Sequence, residues 1–179
     1  MALTATIYSF ETQIADVDRA VYETVSLRMA RQPSETADYM LTRLLAYCLE
    51  YTEGIAFTEG VAAGDDPAVL VRDLTGRLRT WIEVGLPDAD RIHRASKRAD
   101  RMAIYTHRDV SRVLAELNGK KIHRAAEIPV FEFGRGFVED VASRLDRRAG
   151  IAVSVTERQL YLDINGESFQ TVITEHHFA

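Results

Sequence analysis

A chain of 179 residues with 22 Lys and Arg against 27 Asp and Glu has a formal net charge of −5, which excludes indiscriminate attraction to nucleic acid. The length suits one compact domain with a sizeable core, and ordinary Gly and Pro usage excludes a disordered chain. No apolar run approaches the roughly 18 residues of a membrane helix, the start lacks a basic leader, and the one cysteine, Cys48, excludes an intrachain disulfide. A reduced, cytoplasmic setting with no membrane partner is expected.

Alternation of apolar and polar residues in Ile7-Tyr-Ser-Phe10 and Val21-Tyr-Glu-Thr-Val25 predicts two antiparallel strands, Ala5 to Ile14 and Val21 to Met29, turning at residues 15–18. Pro33-Ser34-Glu35 then predicts a helix start with Ser34 as N-cap, running to about Glu53 and stopping at Gly54. At 100° per residue Met40, Leu44, Leu45, Cys48 and Leu49 gather on one side, leaving Glu35, Arg43, Glu50 and Glu53 as the opposite, solvated stripe.

A short strand at Ile55 to Phe57 and an acidic turn at Gly64-Asp-Asp-Pro67 lead to a hairpin whose second arm is Thr80-Trp-Ile-Glu-Val84, with Gly76 in the turn. Pro87-Asp88 opens a helix to about Arg98. A buried strand follows at Met102 to Tyr105, then a helix capped by Asp109 to about Leu117, a strand at Ile128 to Phe133 and a helix near Gly136 to Arg144. The tail reads as strands at 151–155, 159–164 and 169–174, the last two joined by the type I′ signal Asn165-Gly166. With no repeat or linker, residues 1–179 read as a single compact α/β domain. Its mixed sheet has flanking helices and antiparallel hairpins at both ends of the chain.

Glu83 is the residue whose placement asks for a reason. A carboxylate between Ile82 and Val84 costs several kcal/mol to bury unpaired. Asp73, one hairpin arm earlier, could share that cost through a divalent cation such as Mg²⁺ or Mn²⁺, which takes hard oxygen ligands. An Asp, a spacer and then Asp/Glu-x-Lys is the layout of metal-dependent nucleases, although Gly85 stands here where that lysine would be. A solvated or salt-bridged pair produces the same spacing. The histidines show no zinc-ligand spacing with Cys48, and no Gly-rich phosphate loop is present.

Charge is unevenly spread. Residues 91–124 hold ten Lys and Arg against three acids, a net +7, whereas the remainder holds twelve basic and twenty-four acidic residues, a net −12. Such a segment points to an anionic partner such as a phosphate backbone, or to helix faces paired with acids from elsewhere in the fold.

Together, Arg31-Gln-Pro-Ser-Glu-Thr36, Thr42-Arg-Leu-Leu-Ala46, Asp73-Leu-Thr-Gly76 and Trp81-Ile-Glu-Val-Gly-Leu-Pro-Asp88 resemble the bacterial YaeQ family, as does the opening Met1-Ala-Leu-Thr-Ala-Thr-Ile-Tyr8. The resemblance spans essentially the whole chain. It implies a compact variation on the PD-(D/E)XK restriction-endonuclease-like fold. Asp73 and Glu83 would then be the metal-binding carboxylates, the Val84 carbonyl a third ligand and Glu50 an additional acid. It also implies that the missing lysine is replaced by a cation from the next helix, with Arg94 at the matching position. Two functions follow as expectations. In the first, a Mg²⁺- or Mn²⁺-dependent phosphodiesterase of nuclease type acts on nucleic acid; Asp73 and Glu83 hold the metal and Arg94 or Lys97 stabilises the developing charge. In the second, a non-catalytic relative binds nucleic acid or a protein partner, the phosphate contacts falling to Arg91, Arg94, Lys97 and Arg98. Whether Arg94 or Lys97 converges on the carboxylates separates the two.

Overall fold

A computed structural model describes residues 3–60 and 64–179, so that only Met1 and Ala2 of the family-like opening lie outside it. The N-terminal alternation forms a long hairpin of β1 (Thr6–Asp16) and β2 (Val21–Arg31), paired from Thr6 with Arg31 to Asp16 with Val21. Tyr8, Phe10, Thr12 and Ile14 alternate inward along it and are buried. Both strands run two residues past their expected ends.

Helix α1 (Ala37–Leu49) starts later and stops earlier than its sequence predicts. Its N-cap is Thr36, whose hydroxyl accepts the Tyr39 N–H at 3.1 Å, and Glu50 is its C-cap. Glu35, expected in the first turn, lies before the helix and is buried instead. Every residue from Met40 to Leu49 is buried, so α1 is a central helix with no solvated stripe, and the expected exposure of Arg43 is corrected. Gly54 then turns the chain at φ +88°, where a Cβ would overlap the Arg72 carbonyl oxygen. Gly54→Ala should therefore destabilise the protein by at least about 2 kcal/mol, read as a lower urea midpoint with an unchanged m value.

The remaining elements are β3 (Ile55–Phe57), β4 (Val69–Arg72), β5 (Leu78–Val84), α2 (Ala89–Ser96), β6 (Arg101–Thr106), α3 (Val110–Leu117), β7 (Val130–Phe133), α4 (Phe137–Ala142), β8 (Arg148–Thr156), β9 (Gln159–Ile164) and β10 (Glu167–His176). Among the described residues these form one ten-stranded mixed sheet of order β2-β1-β8-β9-β10-β7-β6-β5-β4-β3. The sheet curls until it is nearly closed, and among the described residues four α-helices pack on its two faces. Strands β5, β6 and β7 are parallel neighbours, and β1 lies parallel to β8.

Two cores result. The larger gathers α1, α4 and the inner residues of both hairpin ends, including Phe10, Leu160 and Ile173. The smaller packs Ile92 and Ala95 of α2 and Val113 and Leu117 of α3 on the other sheet face, against Trp81, Met102 and Ile104. Side-chain alternation along β5 assigns the faces: Ile82 and Val84 belong to the α1 core, whereas Trp81 belongs to the α2–α3 core. Among the described residues no helix is long and apolar enough to cross a membrane.

Candidate functional site

Glu83 lies next to the last residue of β5 on the Trp81 side, facing α2. Three per cent of it is exposed, and three donors meet one carboxylate oxygen. The Trp81 indole N–H donates to Oε1 at 2.6 Å, the Arg91 Nε at 3.0 Å, and Arg91 Nη2 stands 3.0 Å from the same oxygen. Burial pushes the Glu83 pKa up, and the hydrogen bond and charge of Arg91 oppose that rise, followed by the Trp81 bond. Arg91 reaches it because Asp88 caps α2 by accepting the Arg91 N–H at 2.8 Å, which places that side chain on the first turn, over the end of β5. The same guanidinium donates to the Gly64 and Asp66 carbonyls at 2.8 and 2.6 Å.

The other expected metal ligands stand elsewhere. Asp73 is exposed in the β4–β5 turn, where one oxygen accepts the Thr75 hydroxyl and the Thr75 and Arg77 backbone N–H groups. The Thr75 hydroxyl bond, followed by the backbone N–H groups, holds its carboxyl below the usual range. From that turn to the level of Glu83, β5 rises roughly 17 Å, far beyond the reach of one shared ion. Glu50 caps the far end of α1 and accepts both Nη groups of Arg101, at 2.6 and 3.1 Å, and the Tyr105 hydroxyl at 2.8 Å. Tyr105 sits in the α1 core, so Glu50 and Glu83 are on opposite sheet faces. Val84, the final β5 residue, is paired with Tyr105 in the β6 ladder. The expectation that Asp73, Glu83, Val84 and Glu50 converge is thus corrected by strand length and by side-chain alternation. Among the described residues no three His, Cys, Asp or Glu side chains are grouped to hold a metal ion. These residues do not fit a Mg²⁺ or Mn²⁺ site: Glu83 is already engaged by Arg91, and the expected partner carboxylates, Asp73 and Glu50, are remote.

A cleft of about 500 Å³ opens where β5 and β6 end, with Glu83, Arg91, Tyr39, Gly85, His107 and Arg108 in its walls. This is the carboxyl edge of parallel strands, where α/β sheets most often bind ligands. The Tyr39 and His107 rings meet edge to face at 6.3 Å and 89°. Burial lowers the His107 pKa, which favours the neutral ring, and its Nδ1 is buried without a partner among the described residues. Burial, reinforced by the nearby charge of Glu83, pushes the Tyr39 hydroxyl up to about 12.

Behind Tyr39 lies a second ion pair. Arg43 Nε stands 2.8 Å from Glu35 Oε1 with both side chains wholly buried, a close contact poorly aligned as a hydrogen bond. Arg43 also donates to the Thr58 and Ala30 carbonyls at 3.2 and 3.0 Å, and Glu35 accepts the Gln32 N–H at 3.1 Å. Burial raises the Glu35 pKa against the pull of Arg43.

The basic segment divides by role. Arg91, Arg101 and Arg124 are structural: Arg101 holds Glu50, and Arg124 donates to the Asp100, Ser96 and Ala99 carbonyls just past α2. Arg98 lies 5.0 Å over the Trp81 ring and donates to Asp65 O at 3.4 Å. Arg94, Lys97, Arg112, Lys120 and Lys121 are exposed, and among the described residues none has an acid within ion-pair distance. Arg94 and Lys97 therefore do not converge on Glu83. His93 accepts the His123 backbone N–H at 3.1 Å, and its pKa is held down by burial and then by Lys97, Lys121 and His123.

Sequence reasoning assigned no site role to Tyr39, Arg43 or His107. Arg43 left a signal: a lone charge in the run Met40 to Leu49 belongs to a helix apolar on all sides and must be buried with a partner. His107 and Tyr39 meet only through the fold and left none.

The fold and cleft define a class: an α/β domain whose nearly closed mixed sheet carries a ligand-sized cleft at the carboxyl edge of its parallel strands. The chain belongs to the YaeQ family, whose model, described as "YaeQ protein", matches residues 1–173. It is 31% identical over 175 residues, 97% of each chain, to the Escherichia coli (strain K12) protein named "Uncharacterized protein YaeQ". The Salmonella typhi protein of the same name is 31% identical over 163 residues, 90% of each chain. Crystal structures of YaeQ proteins from Pseudomonas syringae and Xanthomonas axonopodis pv. citri superpose with TM-scores of 0.86 each, at 30% and 26% identity. They cover 96% and 98% of this chain and 95% and 100% of their own.

Proposed function

We propose that this protein binds the phosphate backbone of nucleic acid and does not cut it. The observation that carries the reading is the set of exposed cations on the α2–α3 side, Arg94, Lys97, Arg112, Lys120 and Lys121, which no acid pairs among the described residues. Paired arginines gain little from a phosphate, whereas unpaired ones release counterions when they meet one. In the cleft where β5 and β6 end, the one buried acid, Glu83, is already neutralised by Arg91. A PD-(D/E)XK-type ancestry accords with a strand glutamate followed two residues later by Gly85 in place of lysine. That ammonium is therefore missing at its usual place, and arginine is too basic to replace it as a general base.

Equilibrium binding of a single-stranded oligonucleotide at several salt concentrations tests this. Log affinity should fall linearly with log salt, and replacing Arg94, Lys97 and Lys121 together by glutamine should reduce the slope by roughly one unit per lost contact. A slope identical in wild type and triple variant would refute the assignment of this face.

A further inference from the structure

We propose that the cleft beside Gly85 receives the terminal nucleotide of a bound strand, its base against Tyr39 and His107 and its phosphate on Arg108. The inference rests on the strand-binding reading above and names what happens at the strand's end. Its first support is a cradle left bare by a glycine. Gly85 takes φ +94°, and a Cβ there would lie 3.6 Å from the Tyr39 ring and 3.9 Å from His107 Cε1. The missing side chain leaves open the space that both rings border, and bases stack on such rings whatever their sequence.

The second support is hydrogen-bonding capacity left over. The Tyr39 hydroxyl, Glu83 Oε2 and His107 Nδ1 have no protein partner among the described residues, although each belongs to a residue lining the cleft. A bare anion would use none of the acceptors. A base edge offers both donors and acceptors, and a carboxylate accepts from an exocyclic amine as it does from cytosine. Glu83 keeps its second oxygen for this because Trp81 and Arg91 both engage the first. The third support is position. Arg108 follows His107 directly, is exposed, lines the same cleft and has no acid within ion-pair distance among the described residues. The volume, about 500 Å³, falls within the span of small-molecule sites.

The test compares single strands of about twelve nucleotides that are intact, abasic at either terminus in turn, or abasic internally. With wild type, an abasic residue at one terminus should weaken binding about tenfold or more, the cost of one lost base–aromatic stack, while an internal one should change little. His107→Ala and Tyr39→Phe should shrink the terminal difference while the salt dependence persists, and Arg108→Ala should remove any preference for a terminal phosphate. Salt-dependent binding with terminal and internal abasic strands alike would overturn the pocket and leave the strand-binding reading standing. No binding of any strand would overturn both. Adenosine monophosphate alone binding as tightly as the strand in a His107-dependent way would show a free nucleotide as the ligand and overturn the strand-end assignment. The strand series on wild type decides the matter even where a variant fails to fold.

Discussion

Arg43→Ala should destabilise the protein by about 3–5 kcal/mol, because it leaves the Glu35 carboxylate buried without its counter-charge. Both side chains are wholly buried, so solvent cannot take over. The substitution also strips donors from the Thr58 and Ala30 carbonyls and opens a space beside Phe57, whose ring centroid lies 5.9 Å from the guanidinium. Removing both charges together, as Glu35→Leu with Arg43→Met, should recover much of the loss, since the pair's cost of burial disappears with it. Chemical denaturation of the two variants measures this, and a double variant no more stable than Arg43→Ala would contradict the uncompensated-charge explanation.

Arg91→Ala should cost about 3 kcal/mol near pH 7, toward the lower end for a buried pair because the Arg91 side chain is 25% exposed. The loss should depend on pH in a defined direction. Glu83 in the folded protein titrates above its ordinary value, and without Arg91 it moves further up. Its contribution is therefore fully present below the ordinary glutamate pKa and is lost as pH rises through the raised one. The stability gap between wild type and Arg91→Ala should accordingly narrow toward pH 5, as Glu83 takes up a proton, and widen toward neutrality. Thermal melts at the two pH values read it directly; a gap that widens on acidification would show that Arg91 acts through something other than the Glu83 charge.

Most of the architecture was legible because it rests on local periodicity. Alternation in Ile7 to Phe10 and Val21 to Val25 marked the N-terminal hairpin, and Asn165-Gly166 marked the turn between β9 and β10. Boundaries slipped where a side chain had two possible partners: Ser34 and Thr36 both satisfy capping rules, and only the burial of Glu35 against Arg43 selects Thr36. The site was half legible. Glu83 was identified as a carboxylate needing a partner, and it has one, but that partner is Arg91. An arginine eight residues on, across a strand end and a helix start, leaves no periodic trace. Asp73 reads as lying on a hairpin arm before the Gly76 turn, whereas it sits in the turn itself. Its distance from Glu83 depends on how many residues β5 takes before Glu83, a property of pairing register that spacing alone does not disclose. The net +7 of residues 91–124 was visible by counting, yet Arg91, Arg101 and Arg124 turn out to serve Glu83, Glu50 and the carbonyls just past α2.

Binding without cleavage is tested most directly by incubating one end-labelled single strand with the protein in Mg²⁺ or Mn²⁺ and in chelator, then measuring complex and strand length in the same samples. The account predicts a complex that weakens with salt and a strand of unchanged length in every sample. Shortened strand that requires the metal, and disappears with Glu83→Ala, would contradict it.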